Sequence, residues 1–93
     1  MKFIKATEIM KNKEAYIGNI VGMNIRGAGS QWTKLVDVKA KGDKIEFTVK
    51  MLTHNAHMGI KTKTMAADKS INYQDLGDWL NWCKMYNIET NHE

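Results

Sequence analysis

The stretch IEFTVKML, residues 45–52, limits the possible folds more than any other. Ile45, Phe47, Val49 and Met51 alternate with Glu46, Thr48 and Lys50, the period-two pattern that puts one apolar row on one side of a pleated strand. Such a row needs neighbouring strands and a covering layer. The first neighbour precedes it. WTKLVDVKA, residues 32–40, reads as a strand with Trp32, Val36, Val38 and Ala40 on one side, interrupted by Lys34. Thr33, Leu35, Asp37 and Lys39 fall on the other side. KGDK, residues 41–44, joins the two, with Gly and Asp where a tight hairpin requires unusual backbone angles.

Two more strands and two helices follow from the same kind of reading. AYIGNIVGMNIR, residues 15–26, is rich in Ile and Val, and its glycines at 18 and 22 suit a bent or bulged strand. GIKTKTM, residues 59–65, reads as a further strand with Lys61 and Lys63 projecting from one face. ATEIMKNKE, residues 6–14, is a candidate short helix with Ile9 and Met10 inward. Towards the C-terminus the period becomes 3.6, and Leu76, Trp79, Leu80, Cys83 and either Tyr86 or Asn87 share a face. With Asn72 as N-cap and Asp75 in the first turn, the predicted helix spans 72–87.

These elements make one α+β domain over residues 1–93, with a β-rich core at 15–65. The expected architecture is an antiparallel sheet of about four strands packed by the C-terminal helix. Closure into a small SH3-like barrel is the alternative for strands this short. A chain of 93 residues is near the lower limit for a self-sufficient core. Its single cysteine, Cys83, cannot form an internal bridge, so a reducing cytoplasm is the expected setting. A homodimer is one way of adding buried surface. No apolar run is long enough for a membrane span, and no membrane partner is expected.

Three segments invite a chemical reading. RGAGS, residues 26–30, has two glycines, but a strand follows them, whereas a phosphate-binding loop must open a helix. A turn is therefore the first reading, with Arg26 and Gln31 as contact residues if the loop meets a partner. HNAH, residues 54–57, offers two histidines beside Met51 and Met58. Cys83 and His92 are too far away in sequence to complete a recognisable metal site, and no metal or cofactor is expected. Cys83 lies on the apolar helix face, the usual place of an inert thiol.

Charge carries more information. Residues 1–63 hold twelve Lys/Arg against five Asp/Glu, a balance of +7, while residues 64–93 hold two against five, a balance of −3. If the strands lie side by side, Lys39, Lys50, Lys61 and Lys63 point outward together, with Lys41 and Lys44 at the adjoining turn. Lysines so placed neutralise backbone phosphates without reading sequence. The expected function is thus non-enzymatic binding of nucleic acid, RNA or single strands rather than a duplex site, through these six lysines and Arg26. The alternative is a protein-binding inhibitor or adaptor that docks through Trp79, Trp82 and Tyr86 on the C-terminal helix, since Trp and Tyr dominate binding hot spots.

In texture the chain resembles the small accessory proteins of large lytic tailed phages. The features are a vocabulary rich in Lys, Asn, Met and Ile (MKFIKATEIMKNKEAYIGN), no proline and no catalytic set. That resemblance implies a binder acting on nucleic acid or on host machinery such as toxins, nucleases or transcription factors.

Overall fold

The computed structural model describes residues 2–90. Strand β1 (Lys2–Lys5) runs into helices α1 (Ala6–Lys11) and α2 (Lys13–Tyr16). Strands β2 (Ile20–Ile25), β3 (Gly29–Lys41) and β4 (Lys44–Met51) form a meander. A 3₁₀ turn at Thr53–Met58 leads to β5 (Ile60–Ala66), then β6 (Ser70–Gln74) and helix α3 (Leu76–Met85). The architecture is α+β, with every pairing antiparallel and the strand order β1-β6-β2-β3-β4-β5. The expected strands are present as β2 to β5, but β1 and β6 raise the number to six. The sheet is open, with β1 and β5 at its edges. No helix among the described residues is long and apolar enough to cross a membrane.

Only residues 67–69 separate β5 from β6, although three strands lie between them in the sheet. So short a link forces the sheet to curl, and β2 comes into contact with β5. The inner face of the curl holds the larger core. Val21, Leu35, Val38, Phe47 and Val49 are fully buried there beneath Ala6 and Ile9 of α1. Full burial of an aliphatic or aromatic side chain contributes roughly 1.5–3 kcal/mol, so this row holds the sheet together.

Helix α3 does not cover that core, contrary to the expectation. Trp79 and Cys83 pack on Ile20 and Leu52, with Trp32, Leu76, Leu80 and Ile88 around them. Ile20 alternates with the inner residue Val21, so this second cluster lies on the outer face of the sheet. The helix is also shorter than 72–87. Its N-cap is Asp75, whose Oδ2 accepts from Gly77 N at 2.9 Å, and Asn72 sits inside β6 opposite Phe3. Asn19 fixes the start of the helix, its Oδ1 accepting from Leu76 N at 3.0 Å.

Strand β3 departs from simple alternation. The register with β4 slips between Leu35 and Asp37, a bulge that leaves one extra residue on β3. Thr33, Leu35 and Val38 are buried, whereas Val36 is exposed. The assignment of Trp32, Val36, Val38 and Ala40 to one inward side is therefore corrected. Asp37 supports the bulge by accepting from Val38 N at 2.8 Å, and Leu35 pairs backward with Gly18 and Asn19.

Candidate protein and nucleic-acid interfaces

Directly paired residues in antiparallel strands share a face, so register decides which lysines can act together. Lys61 pairs with Val49 and Lys63 with Phe47, which places both on the inner face, at its edge. Lys50 pairs with Lys34 and Ile60, and Lys39 with Glu46, which places these on the outer face. The expectation that Lys39, Lys50, Lys61 and Lys63 share one outward surface is overturned. The reason is that β5 is an edge strand. Its inner side is only partly covered, so lysine stems can lie along apolar neighbours while their ammonium groups reach water.

The remaining cations are divided as well. Lys41 and Lys39 both reach Glu46, at 3.2 and 3.5 Å. The hydrogen bond from Lys41, with the charges of both lysines, holds the Glu46 carboxyl below its usual 4.5. Lys44 is exposed at the start of β4. Arg26 stands at the turn between β2 and β3, at the opposite end of the 13-residue β3 from Lys41. Its loop is a corner, as the glycine reading implies. Gly27 and Gly29 take φ of 88° and 79°, and Ala28 N donates to Ile25 O at 3.0 Å. Gln31 is occupied in tying this corner down, donating to Ala28 O at 2.8 Å and accepting from Asn55 Nδ2 at 2.7 Å.

The histidines serve their own turn. His57 Nδ1–H donates to the His54 carbonyl at 3.1 Å, and His54 lies beside Thr53 and Asn55. Among the described residues no three His, Cys, Asp or Glu come together in a way that could hold a metal ion. His92 lies outside the described residues. Cys83 is buried against Trp79 and Ile20, and burial pushes its thiol up from 9.0.

Helix α3 divides its aromatics. Trp79 is buried in the outer cluster, so its ring offers no exposed docking surface. Tyr73, inside the span 72–87 expected of the helix, belongs to β6 and meets Tyr16 edge to face at 5.1 Å. Trp82 is 39% exposed, Met85 73% and Tyr86 63%. The Trp82 and Tyr86 rings lie 5.3 Å apart. Helical spacing aligns Asp78, Trp82 and Met85 along one outward stripe.

Strands β1 and β6 and the outer-face surface around Trp32 escaped the sequence reading. SINYQ does carry a signal, since Ile71 and Tyr73 alternate with polar residues. Five residues are too few to outweigh a helix starting beside them. Comparison with known proteins gives no match: no family model, no curated protein and no solved structure.

Proposed function

We propose that this chain is a non-enzymatic binding domain that docks onto a protein partner through the outward side of α3. The supporting observation is the contrast within that helix. Trp79 and Cys83 are completely buried, while Trp82, Met85 and Tyr86 are left together in water. Covering a large apolar side chain contributes roughly 1.5–3 kcal/mol, and the charges nearby, Asp78 and Lys84, border the patch without breaking it. The strand order β6-β2-β3-β4-β5 supports reading the sheet as an opened SH3-like barrel with β1 added at its edge. The setting proposed is the cytoplasm, with the partner a factor of a phage host.

The test is capture by the immobilised full chain, with and without nuclease, using wild type and Trp82→Ala. A specific protein retained after nuclease and released by Trp82→Ala is expected. Capture that nuclease abolishes, or that survives Trp82→Ala together with Tyr86→Ala, refutes the docking reading.

One observation keeps a nucleic-acid reading in play: Lys39, Lys41 and Lys44 cluster at the end of the β3–β4 hairpin, with Lys50 further along the same face. In that reading, binding to a single-stranded RNA weakens with salt by a slope of roughly 0.7 per neutralised phosphate. Reversing Lys39, Lys41 and Lys44 abolishes it, whereas reversing Lys61 and Lys63 on the inner face has little effect.

A further inference from the structure

The apolar surface does not end at Trp82. That side chain also forms one wall of a cavity of about 320 Å³, together with Ser30, Trp32, Thr53, His54, Trp79 and Ile88. Beyond Trp32 a second groove of about 340 Å³ passes over Gly22, Asn24, Ser30 and Asn72. The two share Ser30, Gln31 and Trp32, so they form one furrow across the outer face. Gly22 keeps the furrow open. A methyl group there would stand 3.2 Å from Asn72 Cβ and 3.6 Å from Trp32 Cζ3.

Two residues in the furrow walls carry a buried polar atom without a hydrogen-bond partner among the described residues: Asn72 Oδ1, an acceptor, and Trp79 Nε1–H, a donor. Native proteins retain few such atoms. Here they belong to neighbouring parts of one furrow and have opposite hydrogen-bonding sense. No Lys, Arg, Asp or Glu lines either part. An occupant must therefore be uncharged, offer both donor and acceptor, and present an apolar group to Trp32.

We propose that the furrow takes an extended, uncharged peptide segment of the docking partner. One backbone N–H of that segment meets Asn72 Oδ1, one carbonyl meets Trp79 Nε1–H, and an apolar side chain lies on Trp32. Both protein atoms are covered in the free chain, so the segment enters as the lining side chains give way. A peptide backbone supplies donors and acceptors in alternation along its length. A nucleotide would bring its phosphate to a lining without a cation. The inference rests on the α3 docking reading, because the furrow is continuous with the helix patch through Trp82.

The experiment is an NMR titration of the ¹⁵N-labelled full chain with pooled linear hexapeptides lacking charged residues, with maltohexaose and an oligouridylate in parallel. The three indole N–H signals are assigned by Trp→Phe variants. A peptide pool is expected to move the Trp32 and Trp79 indole signals, with Trp79 moving downfield as its N–H gains an acceptor. The responding peptide binds Asn72→Ala about tenfold more weakly, the loss of roughly one hydrogen bond, and binds Gly22→Ala more weakly because the added methyl narrows the furrow. Asn72→Ala leaves the free protein at least as stable, because it removes an orphaned acceptor. No response from any peptide pool, preferential binding of the saccharide or the RNA, or unchanged peptide affinity in both variants each overturns the proposal. Partner capture that depends on Trp82 without any peptide response would sink the furrow and leave the docking reading intact.

Discussion

Leu35 and Val36 are adjacent and chemically similar, yet the bulge gives them opposite environments. Leu35 is buried against the inner core and Val36 is exposed. Leu35→Ala is expected to lower stability by about 3 kcal/mol through lost burial and the cavity left behind. Val36→Ala should change it by less than about 0.5 kcal/mol. Urea denaturation of both variants measures the contrast, and equal effects would refute the bulge. Cys83 sets a pH limit at the same scale. Burial raises its thiol above 9.0, so the folded chain holds that proton more tightly than the unfolded chain. The resulting stability is complete below 9.0 and is lost as pH rises through the elevated folded value. Tyr73, raised by burial and then by Asp75, adds a similar loss above 10.0. Thermal midpoints should fall above pH 9.0, and the fall should be shallower in Cys83→Ala.

Helix α3 has only ten residues, too few to persist in water on propensity alone. Its packing and its start hold it in place. Trp79→Ala removes the largest side chain of the outer cluster and should cost about 3–5 kcal/mol. Trp82→Ala should leave the melting curve close to wild type while removing partner capture. That separation tells a structural tryptophan from a docking one, and joint loss of stability and capture in Trp82→Ala would erase it. Asn19→Ala withdraws the acceptor that Leu76 N uses. A lost cap of this kind costs about 1 kcal/mol, readable as faster exchange of the first α3 amides than of those in β4.

Across the whole molecule, curling the sheet separates its cations. Lys61 and Lys63 lie on the inner edge, Lys39 and Lys41 share Glu46, and Arg26 occupies the far corner. A charge balance of +7 over residues 1–63 is therefore divided between the two faces, and of the expected set Lys39, Lys41, Lys44 and Lys50 share the outer one. Helices α1 and α3 occupy opposite faces, α1 over the inner core and α3 over the outer cluster. Only part of the outer face is covered by α3, and the furrow beside Trp32 runs over the part left open. Sedimentation at rising concentration tests whether a second copy covers the α3 patch. Self-association lost in Trp82→Ala would identify the patch as a homodimer contact.

The sequence alone determined those features that depend on neighbours within a few residues. Period-two alternation at 45–52 made β4, glycine at 42 turned the hairpin, and 3.6-residue spacing from Leu76 made α3. Each needs only local backbone geometry and one apolar side. The tertiary structure decided which side faced what. A one-residue bulge exchanged Val36 for Leu35 in the core, and the register of β5 turned two lysines inward. The three-residue link to β6 curled the sheet and set Asn72, Gly22 and Trp32 together from three separate strands. Those outcomes depend on pairing between distant segments, where a shift of one residue moves every side chain of a strand to the other face.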